Sequence, residues 1–389
     1  MRPVVAAVAA LALAALALRP QFIAIGPLAG PIQHDLGVQH WVVGLVGGIP
    51  VLGMGLMALP ASGLAVRFGS RGVIGVSLAL LAGSGVLRAL VPGALALVLL
   101  TVPIAVGMGL ANALLSYVVK ERAADHPMLA TSLYAAGIQL GATLSSALAV
   151  PIASAGDGWR TTLLVISLAA AASLAAWLLL VRPLPLPRVR VDRPRLPWKS
   201  GLAWLFVGLF VTNGLVYYGL SAWLPESLVE QGWSSSRAGV ANALINAFAL
   251  VASLLLSLVG DRLGSRRTYL LLGCLLLTTG TTLVILAPGG SIVWACTIGL
   301  GNGMMFVAMM TLPLAAADDP GEVAAITGMM LGIGYSVAAL APLGLGGVRD
   351  LTGSFSTSLW LIAAMAVLAG AIAATLSPAR IARGVTRRA

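Results

Sequence analysis

Val66-Arg67-Phe68-Gly69-Ser70-Arg71 and, 195 residues further on, Asp261-Arg262-Leu263-Gly264-Ser265-Arg266 are one short basic segment written twice, each copy set between long apolar runs. The same offset carries Gly37 onto Gly232 and Gly44 onto Gly239. Close to it, Gly109-Leu110-Ala111-Asn112 meets Gly299-Leu300-Gly301-Asn302, Thr131 meets Thr327, and Gln139 meets Tyr335. One offset holding through several loops means an internally duplicated chain. In a strongly apolar chain, such duplication points to two parallel membrane-embedded repeats with a solute site between them near the bilayer midplane.

Composition agrees. Of 389 residues, 59% are apolar and 9% charged, against about 25% charged in ordinary soluble domains, and mean hydropathy is +1.00. So few charges cannot cover a soluble surface, which excludes a soluble enzyme, a nucleic-acid binder and a disordered protein. The net charge of +11 is read as loop charge that sets topology, not as affinity for nucleic acid. Cys274 and Cys296 lie in apolar runs, where a cysteine is a small hydrophobe, so neither a disulfide framework nor a metal site is expected. Arginine outnumbers lysine 21 to 2, a composition that suggests a GC-rich bacterial genome and so a bacterial inner membrane.

A crossing helix needs about 20 mostly apolar residues. Twelve spans are predicted, at 4–30, 41–65, 73–91, 94–119, 128–153, 160–181, 201–229, 234–259, 268–288, 291–316, 323–347 and 355–377. The expected fold is all-α, two pseudo-symmetric six-helix bundles, because the apolar runs are continuous and do not alternate as in an outer-membrane barrel. Taken alone, Arg2, the run Val4 to Leu18 and Arg19-Pro20 also fit a secretory signal peptide; the repeat favours a span. With both termini in the cytoplasm, 18 Lys and Arg fall in inside segments, and only Arg88, Arg160, Arg237 and Arg349 in outside loops. The bundles are placed at 1–181 and 201–377. Between them 182–200 reads as a basic, Pro-rich cytoplasmic linker, and 378–389 as a basic cytoplasmic tail.

The duplicated loop resembles the signature of the major facilitator superfamily, roughly G-x-L-a-D-R-x-G-R-R. The second copy, Gly260-Asp261-Arg262-Leu263-Gly264-Ser265-Arg266-Arg267, keeps the acid, whereas Val66 replaces it in the first. Further stretches resemble the cyanate/2-nitroimidazole transporter family: Leu18-Arg19-Pro20, Ile25-Gly26-Pro27-Leu28, Asn112-Ala113-Leu114-Leu115 ending at Lys120, Gly158-Trp159-Arg160, Ala222-Trp223-Leu224-Pro225 and Gly334-Tyr335. The resemblance runs over nearly the whole chain. It implies a twelve-helix facilitator fold and alternating access. It also implies gating roles for Arg67, Arg71, Asp261, Arg262 and Arg266, and a cavity lined by the first, fourth, seventh and tenth spans.

Arg19 is the one basic residue read as lying well inside a span. A charge at the bilayer centre costs about 2.5–3.5 kcal/mol on insertion scales, so it is seldom kept without use. No Asp or Glu is read deep in any span, which makes a mobile anion the expected counter-ion. The alternative is an arginine that snorkels or serves carbonyls freed by Pro20. Polar stripes mark other protein-facing surfaces: Asn112, Ser116 and Lys120; Asn213, Tyr217 and Ser221; Asn242 and Asn246; Thr131 and Gln139; Thr327 and Tyr335. If the resemblance holds, Arg19, Asn112, Tyr217 and Asn302 converge in the cavity, and Tyr134, Gln139, Asn213 and Tyr335 complete the candidate solute-binding set. For each Asn or Tyr, interhelical hydrogen bonding is the competing role.

Met304, Met305, Phe306, Met309 and Met310 could wall a flat ligand or simply pack. Gly44/Gly48, Gly137/Gly141 and Gly328/Gly332 are read as close crossings between the halves, and Pro20, Pro50, Pro103 and Pro313 as kinks. There is no nucleotide-binding loop, and His34, His40 and His126 are not clustered for a metal. Glu226 and Asp35 sit near outer span ends, and a loop-facing position is expected for Glu226. The expected function is alternating-access transport of a small anionic or polar solute by a cofactor-free monomer. Export of flat, weakly acidic heteroaromatics is the alternative, and an intramembrane enzyme or sensor a remote one.

Overall fold

The structure, a computed structural model, describes residues 2–122, 127–181, 196–263, 265–317, 319–377 and 380–381. The helices are α1 (Arg2–Leu18), α2 (Pro20–Ile23), α3 (Ala29–Leu36), α4 (His40–Phe68), α5 (Ser70–Leu90), α6 (Ala94–Arg122), α7 (Pro127–Ala155) and α8 (Trp159–Leu180). After them come α9 (Gly201–Glu230), α10 (Ser235–Leu263), α11 (Arg266–Leu286), α12 (Ser291–Ala316), α13 (Pro320–Ala338), α14 (Leu340–Thr352) and α15 (Phe355–Thr375). Among the described residues there is no strand. Residues 182–195 of the expected linker and most of the tail lie outside the described residues.

The duplication is visible in the element bounds: α4 and α10 begin 195 residues apart, and α5 and α11, like α8 and α15, 196 apart. Among the described residues, eleven segments are long and apolar enough to cross a membrane. The twelfth expected span, 4–30, is broken at Arg19. Pro20 has no N–H to continue the ladder, so α1 stops at Leu18 and a single turn, α2, restarts at the proline. The eleventh span is interrupted at Ala339, where Pro342 withdraws the donor that the Ala338 carbonyl needs. Pro50, Pro103 and Pro313 sit inside unbroken helices. Local capping defines several starts: Ser200, Ser265, Asp319 and Ser354 each accept a backbone N–H from the first turn of α9, α11, α13 and α15. In the duplicated loop, Gly69 takes φ 78° to join α4 to α5, a left-handed conformation that explains the glycine of the motif.

Within the first half α4 packs on α6, α5 on α6 and α8, and α1 on α7; in the second, α10 and α11 pack on α12, and α9 and α11 on α15. The halves meet where α4 lies along α13 and α14, and where α7 lies along α10. Gly44 and Gly48 make the first contact possible: a Cβ on either would overlap a backbone carbonyl, that of Pro342 or of Ala339. Gly137 and Gly141 do not join the halves as expected. They face the Ala12 and Leu16 carbonyls of α1, inside the first half. Gly332 does meet the other half, since a Cβ on Gly55 of α4 would overlap its carbonyl, whereas Gly328 faces open space. The close crossing therefore runs from the His40 end of α4 to its middle.

That same end is tied by charge. The backbone N–H groups of His40 and Trp41 begin α4 without a local side-chain cap, and Asp350 of α14 accepts both, at 3.1 and 3.0 Å. His40 Nδ1 also lies 2.6 Å from Asp350 Oδ1, and its Nε2 3.5 Å from Glu226 of α9. Gln33 of α3 donates to the other Glu226 oxygen at 3.4 Å. Glu226 is thus not the loop-facing acid expected from sequence: it is half-buried between the halves.

Candidate functional site

The break after α1 brings Arg19 out of the helix ladder and toward the second half. Its Nη1 donates to the Tyr217 hydroxyl at 2.7 Å, and that hydroxyl donates to Asn246 Oδ1 at 2.7 Å. Asn246 Nδ2 donates to the Asn242 carbonyl at 3.3 Å, and Asn242 Nδ2 to Ser146 Oγ at 3.0 Å and the Ser221 carbonyl at 3.3 Å. Gln139 reaches the Asn246 carbonyl at 3.5 Å. One hydrogen-bonded line thus joins the end of α1 to α9, α10 and α7. Asn246, which sequence reading left outside the site, is the acceptor that orients Tyr217; its i, i+4 pairing with Asn242 was the available signal.

Arg19 has no acidic partner among the described residues. A guanidinium carries five N–H donors, and one protein hydrogen bond engages this one. A run of aromatic rings leads away from it. Its Cζ lies 5.5 Å from the Tyr217 ring centroid, Tyr217 meets Tyr218 edge-on at 4.9 Å, and Tyr218 lies 5.9 Å from Phe22 and 6.4 Å from Tyr335. Tyr335 meets Phe210 edge-on at 5.1 Å. Phe22 comes from α2, Phe210, Tyr217 and Tyr218 from α9, and Tyr335 from α13. Sequence reading found Tyr217 and Tyr335 and missed Phe22, Phe210 and Tyr218. Phe22, three residues past the arginine, was the clearest missed clue.

The other candidates divide. Among the described residues Asn213 is buried with an unpartnered Oδ1, and Asn302 is buried in α12. Asn112 and Tyr134 are half-buried, and neither bonds to Arg19. Met305 does not face the arginine: it packs on Gly273 and Cys274 of α11, while Phe306 is exposed. Of the two readings left open for the methionines, Met305 therefore takes the packing one, and the ring beside Arg19 is that of Tyr217.

Among the expected gating residues, Arg71 caps its own half, donating from Nε to the Val181 carbonyl at 2.5 Å and from Nη2 to that of Leu178 at 2.8 Å. Arg267 repeats this in the second half, donating to the Ala374 carbonyl at 3.1 Å. Arg67 stacks over Phe68, and Arg266 is exposed. The side chains of Asp261 and Arg262, like those of Ser116 and Lys120, lie outside the described residues.

Arg88 requires a correction. Sequence reading put it in an outside loop and left Arg19 as the lone intramembrane cation. The structure places Arg88 in α5, fully buried. Its Nη2 donates to the carbonyl and to Oε1 of Gln21, both at 2.9 Å, and Nη1 to Thr101 Oγ1 at 3.3 Å. The apolar run 73–91 does include Arg88; counting it as loop charge followed from its place three residues before the end of that run.

The sequence profile described as Major Facilitator Superfamily matches residues 11–342. A 2-nitroimidazole transporter of Escherichia coli (strain K12) is 28% identical over 93% of this chain and 92% of its own. A cyanate transport protein of the same organism is 29% identical over 92% of this chain and 93% of its own. Among solved structures, a D-xylose-proton symporter superposes with a TM-score of 0.78 at 18% identity, covering 96% of this chain and 97% of that one.

Proposed function

The chain belongs to the major facilitator superfamily, a multi-pass membrane transporter and not an enzyme, and from that premise we propose that it carries a small, flat anionic or strongly polar solute bound at Arg19. The observation that carries this reading is the arginine charge itself. Among the described residues it has no carboxylate, and its hydrogen-bond partner, the Tyr217 hydroxyl, begins a run of aromatic side chains from α9, α13 and α2. An anion supplies the missing charge through the guanidinium fork, and a conjugated solute gains from the ring faces. A second reading, export of weakly acidic heteroaromatics, is favoured by the same ring cluster and by the name of the 2-nitroimidazole relative. A pump for cationic drugs fits poorly beside an uncompensated guanidinium.

With Arg88 removed from the loops, 18 basic residues still stand on one side against three on the other. The positive-inside rule then puts both termini in the cytoplasm of a bacterial inner membrane and the His40–Asp350–Glu226 cluster on the outer side. In this assignment the tight α4–α14 crossing lies at the outer end, which supports an outward-closed reading. An inside-negative potential of about 100 mV opposes anion entry by about 2.3 kcal/mol, so uncoupled export runs downhill and import relies on consumption of the solute.

The test is a melting-temperature panel on purified protein with cyanate, nitrite, nitrate, small carboxylates, 2-nitroimidazole and two cationic drugs. A ligand at a hundred times its dissociation constant stabilises by about 2.7 kcal/mol. Stabilisation by a small anion or by the nitroimidazole is expected, and stabilisation by the cations alone would overturn the reading. For the outer closure, Asp350→Ala removes the acceptor of two α4 N–H groups. Amide exchange at 39–43 is expected to accelerate by about two- to thirtyfold, from about 0.5–2 kcal/mol lost with a cap to a helix start. Unchanged exchange would show that Asp350 does not hold the halves together.

A further inference from the structure

The break in the first span exposes more than Arg19. Between Arg19 and Leu28 the backbone bonds locally: Phe22 and Ile23 donate to the Arg19 carbonyl, Ala24 to that of Pro20, and Ile25 to that of Phe22. The Gln21 carbonyl is passed over by this ladder. Its partner is Arg88 Nη2, at 2.9 Å, from α5. The same nitrogen also holds the Gln21 side-chain oxygen, while Gln21 Nε2 donates to Ser167 Oγ at 3.3 Å and the Leu81 carbonyl at 3.4 Å. Gln21, Arg88 and Ser167 are each fully buried. An unpaired peptide carbonyl is costly in a medium without water, so a broken membrane helix persists only where neighbours satisfy the groups it frees.

We propose that Arg88 is a positioning residue for Arg19: by capping the Gln21 carbonyl it fixes the break that turns the Arg19 side chain toward Tyr217. The two residues sit on either side of Pro20 and point opposite ways, Gln21 back into the first half and Arg19 across to the second. A buried arginine with no acid beside it among the described residues has a use here that a lysine cannot match. One guanidinium reaches the backbone carbonyl, the Gln21 amide oxygen and Thr101 together. Polar and small residues around it, Thr101 on α6 and Ser167 on α8, complete the clamp; Gly85 leaves the room, since a Cβ there would overlap Ser167 Oγ and crowd Gln21. The inference that this clamp tunes solute binding rests on the reading of Arg19 as the solute site; the clamp itself does not.

The experiment uses full-length protein with ¹⁵N-labelled arginine, read by NMR of the guanidinium groups in detergent. The Arg19 signal is assigned by its loss in Arg19→Gln. In Arg88→Lys and Arg88→Gln it is expected to move toward the position of an exposed arginine, with amide exchange accelerated at 21–25, while the Arg160 signal stays in place. The milder Arg88→Lys keeps the test open if Arg88→Gln does not fold. An Arg19 signal that stays fixed while the Arg88 variants only lose melting temperature would overturn the proposal and leave Arg88 a packing residue. Cyanate and 2-nitroimidazole affinity is the second readout. Loss of an oriented hydrogen bond to a charged group is worth about ten- to a hundredfold. That loss is expected for Arg88→Lys in the wild-type background and is expected to vanish in Arg19→Gln, where there is nothing left to position. If the Arg19 signal moves but neither arginine affects either solute, the clamp stands and the solute reading fails.

Discussion

Arg19→Gln is expected to abolish solute-dependent stabilisation and transport while leaving the fold intact. Glutamine can still reach Tyr217, but it brings no charge. Hydrogen bonds to a charged group are worth about 1.5–3 kcal/mol each, so losing a two-pronged grip on an anion lowers affinity by at least about a hundredfold. The melting temperature without solute is expected to hold or rise, because an uncompensated cation costs about 2.5–3.5 kcal/mol at the centre of a bilayer and an amide costs less. Arg19→Lys separates charge from shape: it keeps the cation but loses the planar fork, and an intermediate loss is expected. Counterflow in proteoliposomes and melting curves measure both. A variant that transports as well as the wild type would remove Arg19 from the site and make its bond to Tyr217 a structural tie.

Gly44→Val is expected to force the halves apart at the His40 end. Any side chain there meets the Pro342 carbonyl, which is backbone on a packed helix and cannot rotate away. Overpacking of this kind costs about 1–3 kcal/mol, and at 1.4 kcal/mol per decade that shifts the closed-to-open ratio by about five- to a hundredfold. Ser221 is 4% exposed in the closed arrangement. With Cys274 and Cys296 replaced by alanine, a cysteine introduced at Ser221 is therefore expected to react slowly with a membrane-impermeant maleimide, and much faster when Gly44→Val is added. Gly63→Val is the control on the same helix, since a Cβ there meets nothing. Equal labelling in all three backgrounds would mean that this crossing is not the moving closure.

Residues differ in how readily their sequence betrays them. Arg19 was visible because a charge inside an apolar run breaks a pattern, and Tyr217 because it falls at i, i+4 from Asn213. Tyr218 and Phe22 were not, because an aromatic residue in a membrane helix looks the same facing a solute, a neighbour or lipid. Asp350 shows a second kind of blindness. It caps a helix that begins 310 residues earlier in the chain, so no local capping signal exists at either end. Arg88 shows a third: the same residue is a topology signal at a loop and a buried clamp one turn deeper, and hydropathy windows do not resolve one turn.

What the sequence determined by itself was the class of molecule: a membrane-embedded, duplicated helical transporter with its basic loops on one side. Those properties are carried by local composition and by a repeat offset, and both survive without coordinates. The tertiary structure decided which faces meet. In a bilayer the lipid is as apolar as leucine, so burial against protein leaves little mark on a helix that is apolar all round. Only packing could bring Phe22 and Tyr335 together on Tyr218, turn Gln21 onto Arg88, and set Asp350 at the start of α4.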